Sequence, residues 1–254
     1  RRNSSLGRVA PPSQRLLHEL AILREAPACI ARLRGEDRTA LATLLEDNYR
    51  LKQEQLPALV FNATLGSPEF RDFWRSSGPL GQYPEATSSE PIAALERILV
   101  DARRWLGGDY AADEREFEFA LSQVALGDGS ELLRALALQS GVLAAADRVA
   151  GVEPLCADGL EPRAAKNSRN VARKFFVTGV QEWSAQLNAR YHNLLPALFS
   201  LEELLQPVLP EPYDEWRQLR NRQVQEGLQA PQTHVRALQS LLGNCYAEFA
   251  PADG

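Results

Sequence analysis

Methionine does not occur in this 254-residue chain, and lysine, histidine and cysteine occur three times each. Each shortage excludes something. Methionine is the soft gap-filler of most hydrophobic cores. So complete an absence beside so much Leu and Ala reads either as a Met-poor chain or as methionines missing from the sequence. Helical spacing is therefore read over short windows. Positive charge rests on arginine, because Lys52, Lys166 and Lys174 are the only lysines. With the Ala and Leu content, that bias suggests a GC-rich bacterial genome.

The cysteines Cys29, Cys156 and Cys245 are far apart, odd in number and form no CxxC, which removes zinc ribbons and thioredoxin-like motifs. Cys245 reads as a small core residue and a reducing cytoplasm as the expected location, although a signal sequence already removed would leave no trace. No apolar run approaches the ~18 residues of a spanning helix. A net charge of -5 argues against a dedicated nucleic-acid binder.

Chemistry-bearing motifs are missing as well. There is no G-x-S-x-G, no Walker A loop and no G-x-G-x-x-G. No Glu-x-x-His occurs, and His18, His192 and His234 lie in separate regions, so neither a metal nor another cofactor is expected. Strand signals are equally thin: no persuasive period-2 run occurs, and Asp128-Gly129 separates two helical patterns rather than two strands. No repeat recurs at the periods of helical arrays.

What remains is helical. The expected fold is all-α: an irregular multi-helix bundle of roughly nine to eleven helices by cap and breaker signals, with no substantial β-sheet. Residues 1–12 read as a loose arm and 13–254 as one helical domain, with a lobe boundary, if there are two lobes, within 151–163. Ser13 is the expected first N-cap, with Leu16, Leu17, Leu20 and Leu23 inward and Pro27 interrupting. Asp37 caps the next helix, whose Leu41, Leu44, Leu45, Asn48 and Tyr49 share a face as far as Pro57, where a short apolar turn to Ala63 begins. Ser67-Pro68 is an N-cap and N1 pair opening an aromatic helix. The stretch 78–90 reads as a surface connection and a candidate lid.

Pro91 to Leu106 and Asp113 to Leu126 are amphipathic, and Ser130 caps a strongly apolar helix expected at the centre of the fold. Ala164 to Leu195 reads as one long helix with Val171, Phe175, Trp183, Leu187 and Leu194 inward. Tyr213 to Leu228 and Gln232 to Phe249 follow as two more. The last carries Val235, Leu238, Leu242, Cys245 and Phe249 at 3–4 spacing, resembling a bundle seam.

The carboxylates Asp109, Asp113, Glu114, Glu116 and Glu118 straddle a helix start, where the helix dipole favours acid, so their reading is structural. The most informative charge feature is Arg163, Lys166, Arg169, Arg173 and Lys174, since no acid occurs between Glu161 and Glu182. Lys166, Arg169 and Arg173 recur at helical spacing as a basic ridge that Arg217, Arg220 and Arg222 would extend.

The leading expectation is a non-enzymatic interaction protein, a regulator, adaptor or assembly factor. It would bind a protein or anionic partner through Lys166, Arg169, Arg173 and Lys174. Trp216, Val235, Leu238 and Leu242 are the expected interface, with a homodimer as one form of partner. The alternative is a small-molecule or enzymatic bundle with a pocket near Glu182, Tyr191 and His192.

Overall fold

The computed structural model describes residues 11–75, 78–150, 154–156, 162–242 and 245. The fold is all-α, and no strand occurs among the described residues. In chain order the helices are α1 (Pro12–Gly35), α2 (Thr39–Ala63), α3 (Pro68–Phe73), α4 (Glu90–Leu106), α5 (Glu114–Ala125), α6 (Gly129–Ala150), α7 (Arg163–Val171), α8 (Gln181–Leu194), α9 (Pro196–Leu204) and α10 (Glu211–Leu242). A π-helical stretch, Ala172–Val180, joins α7 to α8, and a 3₁₀ turn, Gln206–Val208, follows α9.

The chain forms two compact units. The first comprises 1–77, 88–129 and 193–214, and the second 78–87, 130–192 and 215–254. The stretch 151–163 falls within the second; of the expected arm, residues 1–10 lie outside the described residues.

In the first unit α1 packs on α2, α4 on α5 and α9, and α3 on α5. Leu16, Leu20 and Leu23 of α1 are fully buried at helical spacing, as are Leu95, Ile98 and Ala102 of α4 or nearly so. Trp105 meets Phe117 edge to face at 5.2 Å and donates its Nε1–H to the Ala111 carbonyl oxygen at 3.1 Å. Ser67 caps α3 as its sequence predicts, accepting from the Phe70 N–H, and Asp113 caps α5 by accepting from Glu116.

Several boundaries differ from expectation, each for a local reason. α1 begins at Pro12, with Pro11 at the N-cap, so Ser13 is a buried first-turn residue rather than the cap. Pro27 and Pro57 lie inside α1 and α2 and interrupt neither; packing along these helices outweighs the hydrogen bond each proline removes. Asp37 is not a cap but takes φ 56°, reversing the chain in the left-handed region that Asp tolerates, and Arg38 precedes α2. Leu41 and Leu44 are exposed, and α2 buries Ala42, Leu56, Val60 and Phe61 instead.

α6 starts at Gly129 rather than after Ser130. A Cβ at Gly129 would stand 2.2 Å from the Phe73 ring, so only glycine fits there. Ser130 Oγ donates to Glu131 rather than capping.

The second unit is built on α6, the α7–π–α8 run and α10. α6 is not buried all round: Leu132, Ala135, Leu136, Gln139 and Leu143 face inward, while Leu138 and Val142 are exposed. Gly227 lets α10 approach α6, since a Cβ there would lie 2.5 Å from Leu136 Cβ. Arg163 to Leu194 is one continuous helical run, but Val171 and Phe175 point outward. The buried apolar positions are Ala165, Phe176, Leu187 and Leu194, spaced at close to whole helical turns, so Leu187 and Leu194 face inward as expected and Phe176 takes the place expected of Phe175. α10 runs unbroken through Pro231, where two helices were expected. Phe249 lies outside the described residues.

Cys245 is buried, as expected of a small core residue, but it is disulfide-bonded to Cys156, with Cα atoms 5.1 Å apart. The pair packs with Ala165, Leu241, Leu242 and Leu155, and the Leu155 N–H donates to the Leu241 carbonyl oxygen. Cys29 is an exposed free thiol.

Candidate binding site

The basic run from Arg163 to Lys174 occupies α7 and the first residues of the π stretch. Lys166, Arg173 and Lys174 are exposed and Arg169 is half-buried. Lys174 Nζ lies 5.4 Å from the centre of the Phe175 ring. Arg220 cannot extend the ridge: it is buried, with its guanidinium 5.0 Å from the Trp216 ring and donating to Asn221 Oδ1 at 2.8 Å. Trp216 is half-buried beneath that contact.

Two depressions flank the π stretch. The first, a groove of about 330 Å³, is lined by Arg169 and Arg173 on one side and Val235, Leu238 and Leu242 on the other, with Phe176 and Val177 between them. It joins two features that the sequence presents 60 residues or more apart: two of the three residues of the basic ridge and the apolar seam. The second, a cleft of about 760 Å³, lies between α6, α7 with the π stretch, and α10. Val142, Leu143, Val171, Phe175, Phe176 and Leu241 give it an apolar wall. Ala172, Phe176 and Leu238 line both, so the two share a partition. A shallower depression carries Val142 and Phe175 on toward Leu138 and Trp183.

Phe175 is 58% exposed and Val142 54%, so this cleft leaves large apolar side chains in water. Contiguous exposed apolar surface of this kind marks an interaction or ligand site. π-helical segments also concentrate at functional sites.

His234 is the polar group of the cleft that the sequence reading passed over. It is 8% exposed, its Nδ1 meets Asp147 Oδ1, and its ring centre lies 4.9 Å from that of Phe176. A signal was present: His234 stands one turn before Leu238 and directly before Val235, so it flanks the seam. The aspartate partner, 87 residues away, gave none.

The alternative pocket does not assemble among the described cavities. Glu182 and His192 are exposed, and His192 meets its neighbour Tyr191 edge to face at 4.9 Å. None of the three lines the groove or the cleft. The 78–90 connection is tied down in its first part. Tyr83 is buried, its carbonyl oxygen accepts from Trp183 Nε1 at 3.1 Å, and Arg134 donates to the Gly78 carbonyl oxygen.

The carboxylates of the first unit are engaged locally. Asp113 caps α5, Glu114 and Glu118 accept from Gln14 Nε2, and Glu116 pairs with Arg97. The Ala111 N–H and the Arg104 guanidinium hold the Asp109 carboxyl below its usual range. No group of three or more His, Cys, Asp or Glu side chains among the described residues is arranged to hold a metal, and no described helix is long and apolar enough to cross a membrane.

A family model described as a protein of unknown function, DUF3080, matches residues 1–248 of the chain. No curated protein and no solved structure matches it.

Proposed function

The chain belongs to the DUF3080 family, and we propose that it is a non-enzymatic interaction protein. Its groove between the π stretch and α10 receives an acidic, amphipathic helix of a protein partner. The observation that carries this reading is the convergence of Arg169 and Arg173 with Val235, Leu238 and Leu242 on one groove. An amphipathic helix presents an apolar stripe beside a charged one, which is the complement of this lining. Lys166 and Lys174, exposed on the same run, add to a field that favours acid and speeds encounter.

The Cys156–Cys245 disulfide bears on where this happens. Disulfides persist in oxidising compartments and are rare in the cytosol. It supports work in an oxidising compartment, in place of the reducing cytoplasm expected from the cysteine count.

Val177, exposed at the groove, is the position for a photo-crosslinking residue introduced in the producing cell. The reading expects one dominant adduct whose captured peptide is acidic and amphipathic. Reversing Lys166, Arg169 and Arg173 to Glu should abolish the adduct while helicity by circular dichroism stays unchanged. An adduct that survives the reversal, or a captured peptide without acidic residues, refutes it. An adduct with Val177 of a second copy would make the groove a homodimer contact instead.

A further inference from the structure

Across the partition from the groove, the cleft holds a polar group that helix packing does not account for. His234 is one-tenth exposed at its side chain, and Asp147 engages its Nδ1. Asp147 itself lines a different depression, with Ser140, Glu226 and Thr233, so the carboxylate stands behind the ring and outside the cleft. Nε2, the other ring nitrogen, has no hydrogen-bond partner among the described residues and is not fully buried, and His234 lines the cleft. Phe176 packs against the ring and limits its rotation.

The donor and acceptor roles follow from elementary chemistry. A carboxylate only accepts, so the proton on the Asp147 side belongs to Nδ1, and a neutral ring then presents a lone pair at Nε2. An acceptor facing a mostly apolar wall selects a ligand that brings one donor. A charged head would lose its hydration against Val142, Phe175 and Leu241. Asn167 and Ser168 also line the cleft, and both are more exposed than His234. The volume of about 760 Å³ lies within the range of small-molecule sites.

We infer that this cleft binds a neutral, largely apolar molecule bearing one hydroxyl group, which donates to His234 Nε2 while Asp147 holds the ring in place. The inference is independent of the protein partner, which uses the opposite side of the Phe176–Leu238 partition.

The test uses the full oxidised chain and displacement of N-phenyl-1-naphthylamine, a neutral apolar dye, by three probes of one chain length: decan-1-ol, its methyl ether and decanoate. The alcohol should bind about threefold to tenfold more tightly than the ether, the value of one hydrogen bond. Decanoate should be weaker than the alcohol. His234→Phe should remove the alcohol–ether gap while leaving ether binding within about twofold, because the apolar wall is kept. Should His234→Phe fail to fold, His234→Leu and the unaltered protein still decide the matter. Equal affinities for alcohol and ether, a gap that survives loss of the imidazole, preference for decanoate, or no displacement by the alcohol would each overturn the inference.

Discussion

The side-chain amide of Gln139 donates to the main-chain carbonyl oxygen of Gly227 at 2.7 Å, across the contact between α6 and α10. Ser184 Oγ of α8 donates to Gln139 Oε1 at 2.6 Å, so one buried amide links three helices of the second unit. Replacing Gln139 by Leu leaves the Gly227 carbonyl and the Ser184 hydroxyl without this partner. The expected loss is about 1–3 kcal/mol of unfolding free energy, read from urea denaturation.

Gly227 makes a sharper prediction at the same contact. The Cβ of Gly227→Ala would fall 2.5 Å from Leu136 Cβ and 3.0 Å from the Leu136 carbonyl oxygen, so neither neighbour can yield by moving a flexible side-chain end. Destabilisation of roughly 1–3 kcal/mol is expected despite the better helix propensity of Ala. A neutral or stabilising result would mean that the helices are farther apart than described.

The adjacent phenylalanines provide a test of helical phase. Phe176 is 8% exposed and Phe175 58%. Phe176→Ala should cost about 3 kcal/mol or more, and Phe175→Ala less than about 1 kcal/mol, in thermal or urea unfolding. Reversed costs would put Phe175 inward, as read from the sequence.

Thiol counting checks the disulfide. In denaturant without reductant, maleimide labelling should find one thiol, Cys29, and after reduction three. Reduction should also lower the denaturation midpoint, because the bond closes a long loop (sequence separation 89) and such constraints contribute about 2–4 kcal/mol. Three thiols before reduction would remove the argument for an oxidising compartment.

Asp109 yields a pH prediction. The Ala111 N–H, and after it the Arg104 guanidinium, depress its folded-state pKa. A depressed carboxylate contributes stability above its unfolded pKa of about 3.9 and loses it as pH falls through the lower folded value. In a carboxyl-detected NMR titration, Asp109 should titrate below that reference, and Arg104→Gln should bring its midpoint upward. An unchanged midpoint would leave the Ala111 N–H as the whole cause.

The sequence by itself determined the helical class, because 3–4 apolar spacing and proline, glycine and N-cap signals are local. Ser67 caps where it was read, since a cap needs only the next three residues. It also made the basic run legible, since charge needs no partner to be seen. Tertiary structure decided the rest. Pro27, Pro57 and Pro231 stay within helices because packing along each helix outweighs a local penalty. In the Phe175–Phe176 pair, only the packed neighbours fix which ring turns inward. The Cys156–Cys245 bond, the His234–Asp147 contact and the groove uniting Arg173 with Leu238 join residues 65 to 89 positions apart. Helical periodicity reaches only a few turns, so such pairings are set by the fold and not by any local pattern.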